Sequence, residues 1–303
     1  MPDGRDRSPQ RMTVPCKGCR GGAAFDIPLA MAFQPIVGAA SGGGVFAYEA
    51  LVRGADGRGA ASVLSAVDGA NRYAFDQACR VAAIEAAAAL GVAATGALLS
   101  INFLPNAVYE PEACIRATLR AAERTGFPAA SLMFEVTEAE RVRDPAHLRR
   151  ILRSYKGMGF AVAIDDFGAG HSGLGLLAEF QPDLVKLDMG LVRGIDADRA
   201  RRAIVGGLVR VCAELGVGVV AEGIETRAEH RALRDLGVAL FQGFLFARPA
   251  FMALPAVSVR PVASMIRRRR EPCASMPAGA PGASRARRPA VRPRRHPDLV
   301  YAG

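Results

Sequence analysis

Between residues 31 and 246, short apolar runs alternate with longer stretches of helical periodicity, and this alternation restricts the fold more than any other feature of the chain. The runs Met31–Val37, Val45–Arg53, Ala97–Phe103, Leu132–Thr137, Phe160–Asp166, Leu184–Asp188, Val217–Glu222 and Ala239–Phe246 have the length and branched content of buried strands. Helical patterns over Phe75–Leu90, Pro111–Arg124, Pro145–Met158, Asp198–Leu215 and Arg227–Leu236 lie between most of them. Strands alternating with helices predict an α/β fold with a largely parallel sheet, and eight such strands predict a closed (β/α)8 barrel. The link Gly38–Gly44 is too short for the crossover helix that parallel neighbours require, so the first two strands are expected to form an antiparallel hairpin.

A chain of 303 residues with 50% hydrophobic content can bury a large core, and barrels of about 250 residues are commonly one domain. No apolar run approaches the ~20 residues of a membrane span, and the first residues are polar and charged rather than signal-like, so the chain reads as soluble and cytoplasmic. The net charge of +10 is unevenly divided. Residues 254–303 set 11 Arg against Glu271 and Asp298 for a net +9, and residues 1–27 carry +2, leaving residues 28–253 at −1. Three parts follow: an N-terminal extension over 1–27, a folded domain over 28–253 and a basic Arg/Pro-rich tail over 254–303. The tail lacks the apolar periodicity needed to bury anything and reads as disordered. It either stays solvated or makes nonspecific contact with nucleic acid or an anionic surface. In the extension, Cys16-Lys-Gly-Cys19 has no second CxxC or nearby His to complete a zinc site within one chain, although a site shared between two chains stays open. Cys79, Cys114 and Cys212 fall in helical patterns as small core residues.

Asp165-Asp166 closes one strand and is followed by Phe167-Gly-Ala-Gly170. Adjacent carboxylates repel each other and lose solvation, so either they cap the next helix in water or a hard divalent cation offsets the cost. Polar groups also end the other strands: Glu49, Asn102, Glu135, Lys186 with Asp188, Glu222 and Gln242. In a barrel these ends converge on one face. Oxygen ligands without a His cluster suit Mg²⁺ or Mn²⁺, and their number suits a two-ion site of the kind that activates a water for displacement at phosphorus.

Taken in order, Gln34-Pro-Ile-Val37, Glu49-Ala-Leu-Val-Arg53, Ser100-Ile-Asn102, Glu135-Val-Thr-Glu138, Asp165-Asp-Phe-Gly-Ala-Gly170, Lys186-Leu-Asp188, Ala221-Glu-Gly-Ile-Glu225 and Gln242-Gly-Phe244 resemble the motifs of the EAL-domain family, the cyclic di-GMP phosphodiesterases. The resemblance spans about residues 30–250. It implies an irregular TIM-like barrel that hydrolyses cyclic di-GMP to pGpG with two Mg²⁺ or Mn²⁺ ions. By resemblance, Glu49, Asn102, Glu135 and Asp165 bind one ion, Asp165 bridges to a second held by Asp166 with Glu222, and Lys186 contacts the attacking water. The catalytic set is thus Glu49, Asp165, Lys186 and Glu222, with Glu222 placed to help remove the water's proton. Gln34, Arg53, Asp188 and Gln242 would serve substrate binding, Glu138 would brace the loop after Asp165-Asp166, and Glu225 would support the site from behind. The family often has Tyr-Ser-Ser where this chain has His171-Ser-Gly173, which puts the stiffness and regulation of that loop in question. His171 reads as a loop residue rather than a ligand. The family often dimerises near this loop, so a homodimer is a possible state. The rival expectation is a catalytically inactive receptor for cyclic di-GMP or a protein-interaction module; such members lack ligands that are all present here.

Overall fold

The protein is described by a computed structural model over residues 23–38, 44–137, 144–170 and 173–257. Cys16, Cys19, Glu138, His171 and the Arg-rich segment from residue 258 onward lie outside the described residues. Strands β1 (Leu29–Gly38) and β2 (Val45–Gly54) form the expected antiparallel pair, with Gln34 opposite Glu49 and Ile36 opposite Ala47. From β2 the sheet proceeds through β3 (Leu98–Asn102), β4 (Leu132–Thr137), β5 (Ala161–Phe167), β6 (Leu184–Leu187), β7 (Gly218–Ala221) and β8 (Leu240–Phe241), each parallel to the one before. β8 then meets the far end of β1 antiparallel, Val37 opposite Phe241, and the barrel closes. A short β9 (Ala250–Phe251) adds to β1 beside Ala32 and Phe33.

The helices α1 (Ala60–Leu64), α2 (Arg72–Ala89), α3 (Pro111–Cys114), α4 (Arg116–Thr125), α5 (Pro145–Gly157), α6 (Gly173–Glu179), α7 (Met189–Val192), α8 (Arg199–Glu214) and α9 (Arg227–Asp235) occupy the connections. Asp144 and Asp198 cap α5 and α8 by accepting backbone N–H bonds, and Thr226 and Glu229 form a reciprocal capping box on α9. Two sequence expectations change in detail. The helix expected over Pro111–Arg124 breaks at Ile115 into α3 and α4. The last strand, expected over Ala239–Phe246, stops at Phe241, because the chain after it turns so that the Leu245 amide reaches the Ile224 carbonyl. Leu254 and Val257 pack against the core, so the described fold runs a few residues past 253. Among the described residues no helix is long and apolar enough to cross a membrane.

Two cores stabilise this arrangement by taking apolar surface out of water. The larger lies between barrel and helices and includes Phe33, Leu99, Phe134, Tyr155 and Phe241. The smaller fills the barrel itself with Ile36, Ala47, Met133, Ala163, Leu184 and Val220, flanked by Leu98 and Leu240. Side chains two residues apart on a strand share a face. The next inward positions above that plug are therefore Gln34, Glu49, Ser100, Glu135, Asp165, Lys186, Glu222 and Gln242. An apolar floor thus supports a complete polar layer. Outside the barrel, the wholly buried Arg80 of α2 pairs with Asp76 at 2.7 Å and donates to the Tyr155 hydroxyl at 2.8 Å. Asp76 also accepts the Leu104 amide at 2.9 Å, which pins the chain just beyond Asn102.

Candidate active site

Lys186 is the centre of the polar layer. Only 1% of it is exposed, and its Nζ lies 2.7 Å from Glu135 Oε2, 2.8 Å from Glu222 Oε1, 3.0 Å from Asp165 Oδ1 and 3.2 Å from Glu49 Oε2. One ammonium cannot balance four carboxylates. Burial raises the Glu135 carboxyl to about 8, with Glu49 and Asp165 adding to the shift and Lys186 opposing it. Burial also holds Glu222 well above the usual carboxylate range, against the pull of Lys186. For Lys186, burial alone would lower the pKa, but the surrounding carboxylates together outweigh it and keep the ammonium charged. Two amides brace Glu49. Asn102 Nδ2 donates to Glu49 Oε1 at 3.0 Å, and Gln242 Nε2 donates to Glu49 Oε2 at 2.8 Å.

Strand alternation would send Asp165 and Asp166 to opposite faces. They reach one site because the register between β5 and β6 shifts between Ile164 and Phe167, and Asp166 takes a left-handed φ of 52°. Carboxylate oxygens of Glu49, Glu135 and Asp165 lie within 4.8 Å of one another, and so do those of Asp165, Asp166 and Glu222. Asp165 belongs to both groups. Burial, then the neighbouring Asp165 and Asp188, raises Asp166 as well. The donor set fits hard divalent cations, for it is all oxygen and carries excess negative charge. Glu135 Oε1 and Gln242 Oε1 are also buried without a hydrogen-bond partner.

Above this layer opens a cleft of about 240 Å³. It is lined by Gln34, Asp188 and Gln242 of the expected substrate-binding set, but not by Arg53, whose Nη1 donates to the Val52 carbonyl at 2.7 Å. Asp188 also caps α7 through the Gly190 amide at 2.8 Å. Glu225 does not sit behind the acids: it lines the cleft edge and pairs with Arg193 at 2.5 Å. Close backbone approach fixes this wall. A Cβ on Gly243 would fall 2.1 Å from the Ile224 carbonyl oxygen, and one on Gly223, at φ 67°, would fall 2.7 Å from Met189 Cβ. Sequence reasoning missed Arg193, Phe244 with Arg248 stacked 4.1 Å above its ring, and Glu229. The buried Glu229 carboxylate accepts the amides of Gly194, Glu225 and Thr226 at 3.0–3.1 Å, tying the chain beyond α7 to the exit of β7. Its Thr-x-x-Glu spacing was a readable signal, and Phe244 stood in the Gln242-Gly-Phe244 motif with no role assigned to it; Arg193 had no signal outside the fold.

A barrel with a layer of acids and one lysine at the carboxyl ends of its strands defines a class of metal-dependent barrel proteins. The family model described as EAL domain matches residues 28–249, and the chain belongs to that family. A solved standalone EAL protein from Vibrio cholerae O395, bound to cyclic di-GMP, is 51% identical with a TM-score of 0.71, over 77% of this chain and 96% of that one. Klebsiella pneumoniae BlrP1, solved with manganese and cyclic di-GMP, is 36% identical with a TM-score of 0.70, over 79% of this chain and 60% of its own. The blue light- and temperature-regulated antirepressor BluF of Escherichia coli K12 is 33% identical over 75% of this chain. The chain spans 56% of the length of BluF.

Proposed function

We propose that the protein is a metal-dependent phosphodiesterase that hydrolyses cyclic di-GMP to pGpG. The observation that carries this reading is the pair of three-carboxylate groups that share Asp165 around Lys186. Glu49, Asn102, Glu135 and Asp165 would hold one Mg²⁺ or Mn²⁺, and Asp165, Asp166 and Glu222 a second. When bound, such ions supply an acidified water and neutralise charge on the phosphate. Lys186, kept protonated by its carboxylates, donates a hydrogen bond to the attacking water and offsets negative charge that develops at phosphorus. Glu222, 2.8 Å from Lys186 Nζ, is the carboxylate placed to take up the proton that the water loses. Gln34, Gln242 and Asp188 orient the nucleotide in the cleft, and Arg53 joins them by turning from the Val52 carbonyl to the ligand.

A second reading, a nucleotide receptor or protein-interaction module, is favoured by the antirepressor name of BluF. The complete set of acids with Lys186 argues for catalysis. Incubation of the protein with cyclic di-GMP, with and without Mg²⁺ or Mn²⁺, followed by chromatography separates the two. The enzyme gives metal-dependent pGpG. Tight binding without turnover in either metal, across pH of about 7–9, would establish the receptor instead.

A further inference from the structure

A cyclic dinucleotide carries two phosphodiesters, and the acid layer accounts for only the one that is cleaved. The other must rest in a cleft whose wall is itself acidic, since Glu49, Asp166, Asp188, Glu222 and Glu225 all line it. An anion beside such a wall is repelled unless a cation faces it. Lys186 cannot serve both phosphates, because it is buried in the acid layer, on the side of the phosphate that is cleaved. Arg53 stands outside the lining, with Nη1 on the Val52 carbonyl; turned to the ligand as proposed above, it supplies one guanidinium for two phosphates. Arg193 is the one cationic side chain among the described residues that line the cleft.

Its geometry suits a movable arm on a fixed base. The Arg193 amide donates to the Met189 carbonyl at 2.9 Å, and the Arg193 carbonyl accepts Arg201 Nη1 at 2.9 Å. The next amide, that of Gly194, is held by Glu229 at 3.0 Å. The guanidinium, by contrast, is held among the described residues by its pair with Glu225, whose two side chains are 36% and 39% exposed, with a weaker attraction to Glu229. An exposed pair of this kind contributes little net stability, so trading the carboxylate for a phosphate costs little. The planar fork can then donate two hydrogen bonds to phosphate oxygens. The geometry points to Arg193 as the receiver of the second, uncleaved phosphate of a cyclic dinucleotide, with Glu225 as the partner that holds the guanidinium in place beforehand. This assignment rests on the reading of the cleft as a cyclic di-GMP site.

Calorimetric titration of the full chain with cyclic di-GMP in Ca²⁺ tests it, together with KM and kcat in Mn²⁺. Arg193→Gln is expected to weaken binding about tenfold or more and to raise KM more than it lowers kcat. Arg193→Lys keeps the charge but loses the fork, so it should fall between the two. Glu225→Gln frees the guanidinium and should leave binding as tight as before or tighter. Equal losses in Arg193→Gln and Glu225→Gln would mean that the pair only ties two loops, and the assignment would fall. Unchanged affinity in both Arg193→Gln and Arg193→Lys would also overturn it, with the cyclic di-GMP reading intact. If the unsubstituted protein binds no cyclic di-GMP, that reading fails and takes this one with it.

Discussion

Glu135 shows what the acid layer demands at the scale of single residues. It titrates near 8 in the folded protein, against 4.5 for an ordinary glutamate. Between those values the folded state keeps a proton that the unfolded chain has released, so the metal-free protein loses stability as pH rises through that window. Glu222 shifts in the same direction. Lys186 does not oppose this, because a raised lysine pKa gives stability that is lost only above the unfolded value of 10.5. A divalent cation competes with the same protons. The melting temperature of chelator-treated protein should therefore fall between pH of about 5 and about 8, and Mg²⁺ or Mn²⁺ should raise it more at 8 than at 6. A flat profile in chelator would contradict the assignment of the shifts. The two adjacent aspartates also differ. Asp165 belongs to both carboxylate groups and Asp166 to one. Asp165→Asn is expected to lower kcat by about 100-fold or more, and by more than Asp166→Asn does. Asn tolerates the left-handed φ of 52° at position 166, so the comparison reads charge rather than backbone strain. Equal losses would remove Asp165 from its proposed bridging role.

The elements of the barrel were largely legible because each strand is a short apolar run between helical patterns, with a polar residue at or near its end. Ala47 with Glu49, Met133 with Glu135, Ala163 with Asp165 and Leu184 with Lys186 each pair a plug residue with the polar residue one layer above it. What could not be read rests on contacts between distant segments. The bulge that turns Asp166 into the site, the end of β8 at Phe241 and the pairing of Arg193 with Glu225 are set by neighbouring strand exits. Gly243 tests how tightly those exits interlock. Ile224 cannot retreat from a new Cβ, since its amide donates to the Gln242 carbonyl at 3.1 Å and its carbonyl accepts the Leu245 amide at 3.0 Å. Gly243→Ala is expected to destabilise the protein by about 1–3 kcal/mol and to reduce turnover by displacing Glu222 and Gln242. Gly207→Ala on α8 meets nothing within 4 Å and should be neutral or stabilising. Thermal melts of the two variants, with turnover measured alongside, check the contrast; equal shifts would mean that the exits are not interlocked.

Over the whole molecule, positive charge is concentrated in the segment that follows the described residues. Residues 258–303 hold all 11 Arg of the basic end and carry +9, while residues 1–257 carry +1. Leu254 and Val257 pack against the core, so a cut after 253 would strip apolar contacts from the barrel, whereas a cut after Val257 keeps every described residue of that end. Truncation after Val257 is therefore expected to leave the melting temperature and the turnover of free cyclic di-GMP unchanged. Truncation after Ala253 should lower the melting temperature, because buried apolar area is lost. If the basic segment serves nonspecific contact, low-salt retention on a nucleic acid or anionic-lipid surface should disappear in the shorter chain. That retention should also weaken steeply with added salt in the full one, as phosphate contacts made through released counterions do. A loss of turnover on cutting after Val257, measured with the free nucleotide, would instead make the segment part of the working site.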